Sequence, residues 1–397
     1  MSAAAKNGSL GVYVSVPFCR AKCSFCNFAS GVGNDAAVAA YVEKLTAEIR
    51  SARADAERMG VVLPDAVDTV YFGGGTPSLL LPEQMRAIFA ALRESFSLAS
   101  GAEMTLEAAP GQIDDALLES VMRDGVQRVS LGVQSFVDRE SSAVGRTHTA
   151  AECFAEFEHL RNAGIANVGV DLIAGLPHQT AASWRQTLDA LAASRVQHAS
   201  VYMLEIDEDS RLGQEVLRGG ERFHAPHVTS DELATELYEQ ACEALPAMGY
   251  TQYEISNFAQ AGFESRHNRK YWQRAPYFGF GLDAHSMLLR GDGAALRFAN
   301  TDELASYGFG SRTRPEIVDE DAAFEESIFL GLRLREGVNV AALREAFGAR
   351  ADALRLAVQE MCEAGWMVER DGCWTLTLQG RVISNEVFGR LLEPVEV

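Results

Sequence analysis

Apolar positions along this chain alternate between two periods, and the switching predicts its architecture. Residues 10–16 carry Val12, Val14 and Val16 at every second position and stop at Pro17, which predicts a strand running into a loop. Residues 35–59 instead place Tyr41, Leu45 and Ile49 on one stripe among charges, the spacing of a helix. A short apolar strand at 68–72 leads at once into Gly73, Gly74 and Gly75. The rhythm then repeats: strand 103–107 and helix 113–124, strand 129–133 and helix 150–163, strand 168–173 and helix 183–192, then strand 198–204. Strands separated by helices of this length are parallel βα units with right-handed crossovers. About six of them predict an α/β protein built on a partial or complete (β/α) barrel.

Beyond Tyr253 the rhythm breaks into loops rich in Tyr, Trp, Gly and His as far as about Arg297. Helices are expected at 324–334, 340–347 and 354–364, the last capped by Gly365. Short strands at 366–368 and 374–377 and a closing helix at 381–391 complete a compact, winged-helix-like unit. The expected division is therefore a barrel with its site in 1–250, a connecting region in 251–310, and a C-terminal helical and winged unit in 311–397.

The strongest chemical signal is Cys19, Cys23 and Cys26, a CxxxCxxC on the loop after the first strand. Structural zinc and electron-transfer clusters usually recruit four protein ligands. Three thiolates on one short loop suit three irons of a cubane whose fourth iron takes a small molecule. A zinc site that borrows a distant histidine is the plainer alternative. Arg20 and Lys22 are expected to lower the thiolate pKa values, and Tyr13 is in phase to point toward the loop.

Other informative residues also fall just after strands, the face where barrels hold ligands. The Gly73 to Gly75 run permits close backbone approach but lacks the Lys-Ser/Thr of a nucleoside triphosphate loop. A plain tight turn is the competing reading. Glu107, Gln134, Arg146 and Asp171 supply an anion for an ammonium, a cation for a carboxylate and acceptors for ribose hydroxyls. His267-Asn268-Arg269-Lys270-Tyr271-Trp272 offers an axial iron ligand beside two aromatic faces, with a structurally satisfied histidine as the alternative. His285 is a second candidate, Glu254 is placed to approach the same cavity, and His224 and His227 read as surface histidines.

Composition narrows the setting. Lys plus Arg number 35 against 55 Asp plus Glu, a net charge of −20, which disfavours nucleic acid as a partner. No apolar run approaches the roughly 20 residues that span a bilayer, and residues 1–9 lack the apolar core of a secretory signal. Seven cysteines, four of them scattered, fit a reducing cytoplasm rather than a disulfide framework.

On these residues the chain resembles the radical S-adenosylmethionine proteins of the oxygen-independent coproporphyrinogen III oxidase-like family, closest to their haem-chaperone branch, over nearly its whole length. The resemblance implies a [4Fe-4S] cluster on Cys19, Cys23 and Cys26, its fourth iron completed by S-adenosylmethionine, with Gly74, Gly75 and Thr76 beside the methionyl ammonium; Tyr13 is expected to be a further cofactor contact, with a core aromatic as the alternative. It places Glu107, Gln134, Arg146 and Asp171 around the rest of that cofactor and makes His267 the expected haem ligand. Phe28 stands where the oxidases resemble CxxxCxxCxC, and only nine residues precede Leu10; both departures favour the chaperone branch. Asn27, Ala109 and Leu282-Asp283 also depart from common family patterns, and none removes a cluster ligand. The expected function is to bind haem and pass it to an acceptor protein, by peripheral contact where that acceptor is membrane-bound. The alternative is a radical enzyme acting on a small molecule by porphyrinogen oxidation, methyl transfer or cyclopropane formation. A third is an iron–sulfur scaffold whose C-terminal unit recruits a protein.

Overall fold

The computed structural model describes residues 8–308 and 310–392. Residues 1–7 of the stretch weighed above as a leader, and the outer limits of the expected 1–250 and 311–397 segments, lie outside them. In chain order the first half runs β1 (Leu10–Val16), α1 (Asp35–Arg58), β2 (Ala66–Gly74), α2 (Pro82–Ser95), β3 (Ser97–Ala108), α3 (Asp115–Arg123) and β4 (Arg128–Gln134). It continues through α4 (Asp138–Ala143), α5 (Ala150–Ala163), β5 (Asn167–Ala174), α6 (Ala181–Ser194) and β6 (His198–Met203). Strands β1 to β6 pair in sequence order, each parallel to the last.

Strand periodicity sorts the residues of this sheet. Val12, Val14 and Val16 of β1, Val129, Leu131 and Val133 of β4, and Val168, Val170 and Leu172 of β5 face the helices and are fully buried. They pack on Tyr41, Leu45 and Ile49 of α1, Ile88 and Phe89 of α2, and Trp184 and Leu191 of α6. Each such side chain contributes about 1.5–3 kcal/mol relative to exposure. Caps fix where the helices begin: Asn34 accepts the Ala37 amide at 2.9 Å, and Thr149 with Glu152 forms a reciprocal capping box. The residues between the apolar ones point to the opposite face, and there they are polar or small. Tyr71 of β2, Glu107 of β3, Arg128 of β4, Asp171 of β5 and His198 of β6 all border one cavity, so the sheet curls around it.

The region after Tyr253 is more regular than its sequence suggests. Helices α7 (Arg211–Leu217) and α8 (Asp231–Ala244) precede β7 (Thr251–Gln252), β8 (Asn257–Ala259), α9 (Arg266–Trp272), β9 (Tyr277–Phe280), β10 (His285–Leu289), β11 (Ala295–Ala299) and β12 (Glu316–Val318). These strands extend the same sheet, in the order β12-β11-β10-β9-β1-β2-β3-β4-β5-β6-β8-β7. Loops were expected there. Pro276, Gly279 and Gly281 obscure the period in β9, but Phe278 and Phe280 are fully buried and stack at 4.4 Å, and burial decides the outcome. Strand β9 runs parallel to β1 and becomes a seventh parallel strand.

The last segment comprises α10 (Glu320–Arg333), β13 (Val338–Asn339), α11 (Val340–Phe347), α12 (Ala349–Ala353), α13 (Arg355–Glu363), β14 (Met367–Arg370), β15 (Cys373–Leu376), α14 (Leu378–Val382) and α15 (Ser384–Leu392). The expected two-stranded ribbon gains β13 as a third strand, and the expected closing helix divides at Ile383. A separate core containing Leu332, Leu343, Met361 and Trp374 holds this unit together. Glu326 ties it to the sheet by ion pairs to Arg274 at 2.9 Å and Arg297 at 2.6 Å. Among the described residues, no helix is long and apolar enough to cross a membrane.

Candidate functional site

The loop after β1 is held from several sides. The Gly75 and Thr76 amides donate to the Val16 and Phe18 carbonyls at 2.8 and 2.7 Å, so the glycine run packs directly on the cysteine loop. A side chain at Gly75 would bring its Cβ within 2.7 Å of both carbonyl oxygens, and Gly74 sits at φ +100°. The Ser24 amide donates to the Val144 carbonyl at 3.0 Å, the Leu212 amide donates to the Ser24 carbonyl at 2.7 Å, and Asn27 bonds Asp207. Cys23 is buried; Cys19 and Cys26 are half-buried, and all seven cysteines are free.

The cations expected to tune this loop have other roles. Lys22 donates to the Phe28 carbonyl at 2.8 Å and Arg20 is exposed. Burial pushes the Cys19 thiol up, partly offset by hydrogen bonds from Thr76 and Ser30. The cation that does reach a thiol is Arg146, which donates to Cys23 Sγ at 3.4 Å and also bonds the Gly132 carbonyl.

One cavity of about 490 Å³ brings together Cys19, Cys23, Cys26, Gly74, Gly75, Thr76, Glu107, Gln134, Arg146 and Asp171, ten of the twelve residues expected to hold the cluster, its cofactor or haem. Glu107 Oε1 accepts the Tyr71 hydroxyl at 2.7 Å. Burial lifts this carboxyl to about 7 against the pull of that hydrogen bond, and nearby Asp171 adds to the rise. Burial also raises Asp171, opposed by Ser200 and then Arg128. Gln134 ends β4 at φ +67°, a left-handed conformation that costs a non-glycine residue about 1–3 kcal/mol. The missing side chain at Gly132 makes room for it: a Cβ there would lie 3.0 Å from the Gln134 amide nitrogen and 2.8 Å from the Arg146 guanidinium.

Two residues at the floor of this cavity escaped the sequence reading. Arg128, 1% exposed, and His198 sit at the first positions of β4 and β6. His198 Nε2 hydrogen-bonds to the Tyr253 hydroxyl at 2.8 Å, while its Nδ1 and Arg128 Nε are buried without partners among the described residues. The available signal was the period-two set Arg128, Ser130, Gly132 and Gln134, all four of which border the cavity.

The other two singled-out residues lie elsewhere. Tyr13 borders a second cavity of about 250 Å³ with Tyr271, Tyr277, Asp283 and His285; Gly74 and Phe28 border both cavities. His267, the expected haem ligand, borders neither and is 1% exposed. Its Nδ1 bonds Thr69 Oγ1 and its Nε2 bonds the Tyr271 hydroxyl, each at 2.8 Å, so both ring nitrogens are engaged. Burial, reinforced by Lys270, pushes its pKa down to about 3. Trp272 lies under Arg333, whose guanidinium carbon is 4.2 Å from a Trp272 ring centroid, rather than on a ligand face. Glu254 is also withdrawn from the cavities: it accepts the Ser256 amide at 2.8 Å and pairs with Arg333 at 3.5 Å. His224 and His227 are exposed and pack on His178, with ring centroids 5.1 and 4.2 Å from it.

The profile of the radical SAM superfamily matches residues 13–191, and that of the HemN C-terminal domain matches residues 318–383. The chain is 33% identical over 389 residues to a protein of Bacillus subtilis named heme chaperone HemW, covering 96% of this chain and 98% of that one. The chain belongs to the HemW/HemN family of radical SAM proteins. HemW of Escherichia coli is 28% identical over 96% of this chain and 97% of its own. The bovine mitochondrial radical S-adenosyl methionine domain-containing protein 1 is 33% identical over 82% of this chain and 74% of its own. Among solved structures, coproporphyrinogen III oxidase (HemN) from Escherichia coli superposes with a TM-score of 0.81 at 22% identity, over 97% of this chain and 90% of that one. The likeness shows an α/β radical SAM fold related to the HemN barrel.

The residues present fit the groups that the family implies. Among the described residues, no three His, Cys, Asp or Glu side chains converge on the point a single ion would take. A cubane asks for something different, one sulfur on each of three irons. Arg146 Nε is buried without a partner among the described residues, an orphaned donor at the cavity wall that a bound carboxylate would satisfy.

Proposed function

We propose that this chain is a haem chaperone that carries a [4Fe-4S] cluster with exchangeable S-adenosylmethionine and delivers haem to an acceptor protein in the cytoplasm. The observation that carries the reading is the joining of the three thiols with Glu107, Asp171, Gln134 and Arg146 on one cavity, in a chain related along almost its full length to proteins named heme chaperone. In this reading Cys19, Cys23 and Cys26 hold the cluster. When bound, the cluster and its sulfonium ligand supply one-electron reductive chemistry. The chain's own residues orient that ligand: Glu107 takes its ammonium beside Gly74, Gly75 and Thr76, and Arg146 takes its carboxylate. Gln134 and Asp171 accept the ribose hydroxyls. Tyr13 braces the wall between the two cavities. We read residues 1–250 as the cluster-bearing barrel, 251–310 as the connecting region and 311–397 as a winged-helix-like unit for contact with the acceptor.

Arg128 and His198 favour a second reading. Unpartnered polar nitrogens on the cavity floor suit a small polar substrate, hence a radical enzyme of the porphyrinogen-oxidising, methyl-transferring or cyclopropane-forming kind. Anaerobic reconstitution with iron and sulfide, then with hemin and S-adenosylmethionine, separates the two readings. The chaperone reading expects saturable hemin uptake, transfer to an apo-acceptor, and an electron paramagnetic resonance signal that shifts with S-adenosylmethionine and is absent in Cys23→Ala. Conversion of coproporphyrinogen III to protoporphyrinogen IX would decide for the enzyme.

A further inference from the structure

We infer that the floor of the larger cavity binds the carboxylate of a small aliphatic acid on Arg128 and His198; the inference deepens the small-substrate reading above and rests on it for the ligand's fate. Arg128 is 1% exposed, and among the described residues its guanidinium takes part in no ion pair or hydrogen bond. A buried cation without a counter-ion is costly, so it marks a place that an anion completes. The carboxyls around it are engaged elsewhere. Glu103 accepts the Arg266 and His267 amides at 3.1 Å each, and Glu107 accepts the Tyr71 hydroxyl at 2.7 Å. Register sets Glu107 beside Ser130 and Asp171 beside Gly132, one and two inward-facing positions above Arg128. Both carboxyls feel its charge across that gap.

His198, equally buried, supplies a second donor. The Tyr253 hydroxyl accepts the Ser265 amide at 3.3 Å and lies 2.8 Å from His198 Nε2, so it donates its proton to that nitrogen. Burial, reinforced by Arg128, pushes the His198 pKa well down; the ring is neutral and its own proton sits on Nδ1. That N–H is unpartnered among the described residues. Gly169 pairs with Ser130 on one side and His198 on the other, and a Cβ there would lie 3.3 Å from Nδ1, so the missing side chain keeps this space open. A guanidinium fork beside a neutral N–H suits a carboxylate. The methionyl carboxylate expected at Arg146 is a different one. Arg146 reaches Cys23 and packs near Gln134, whereas Arg128 stands at the other end of the seven-residue β4, about 20 Å along the strand. A dianion would face Glu107 and Asp171, and Ala108, Ile173 and Met203 give the cavity an apolar wall for an aliphatic tail. Beside a nucleoside, about 490 Å³ leaves room for a small acid only.

The test is an anaerobic calorimetric titration of the full, cluster-reconstituted chain, saturated with S-adenosylmethionine, with butanoate; butanamide and inorganic phosphate serve as controls. One butanoate per chain is expected, with neither control competing. Arg128→Met should weaken binding about twentyfold or more, the loss for truncating one partner of a buried charge pair. His198→Leu should weaken it about fivefold, the loss of one neutral hydrogen bond. Melting temperature separates a binding role from a structural one. Butanoate should raise the Tm of the parent chain. Arg128→Met, which removes an unpaired buried cation, should melt no lower than the ligand-free parent at equal cluster content and be unmoved by butanoate. A variant that melts well below the parent makes Arg128 structural and overturns the site, as does butanoate binding that survives in Arg128→Met. Loss of S-adenosylmethionine affinity in Arg128→Met, with no butanoate taken up by the parent, would give Arg128 to the cofactor's own carboxylate and also overturn it. The hemin and porphyrinogen assays above judge the small-substrate reading separately, so a parent chain that binds no butanoate sinks the floor site alone.

Discussion

At Glu107, enclosure moves a carboxyl that ordinarily titrates near 4.5 up to about 7. Between those values the unfolded chain has released a proton that the folded chain retains. The stabilising contribution is therefore complete below about pH 4.5 and is lost as pH rises through 7, on the order of 3 kcal/mol in all. A ligand ammonium needs the ionised carboxylate. S-adenosylmethionine affinity should thus climb by up to about tenfold per pH unit below 7 and flatten above it, with Glu107→Gln weak and flat throughout. Calorimetric titrations from pH 5.5 to 8 check this, and a level parent profile would remove Glu107 from the role. Glu107 was legible because it ends a predicted strand. Arg128 was not, because it begins one, and attention to the ligand-binding ends of strands passes over a side chain rising from the barrel floor.

Among the elements, the parallel strands were legible because Val, Ile and Leu alternate with polar or small residues over full strand lengths, as in Val168 to Leu172. The β9–β12 extension was not, since strands of three to five residues give too few periods to count. What fixes this extension against α1 is a polar knot that no local pattern reveals. Glu48 accepts the Gly281 amide at 3.0 Å, and Asn300 and Arg312 at 2.8 Å each; Arg312 also pairs with Asp55 at 2.8 Å. Glu48→Ala strands these donors and should cost about 2–3 kcal/mol by denaturant unfolding. Hydrogen exchange should quicken first at Gly281 and Leu282. Unchanged protection there would place the turn's support elsewhere.

At the scale of the whole molecule, the C-terminal unit was largely legible: α11 spans the expected residues 340–347, and β14 and β15 fall within a residue or two of the expected strands. Its docking was not, because Arg274 and Arg297 lie 52 and 29 positions before the glutamate they share. Glu326 is 4% exposed, so Glu326→Ala leaves two guanidinium groups facing an empty site. The expected cost is about 2 kcal/mol, discounted from the roughly 3–5 of a fully buried pair because the Arg297 side chain is 42% exposed. Limited proteolysis should then cut sooner near residues 300–320, and an unaltered rate would mean that the junction rests on other contacts.

Gly74 and Phe28 form a party wall between two chambers, the larger lined by the three cysteines and the smaller by Tyr13, Tyr271 and Tyr277. An occupant on either side meets the same two residues, so whatever advantage the first guest confers on the second must be returned in equal measure. Any coupling between the two chambers therefore runs equally in both directions, through a glycine and a phenylalanine.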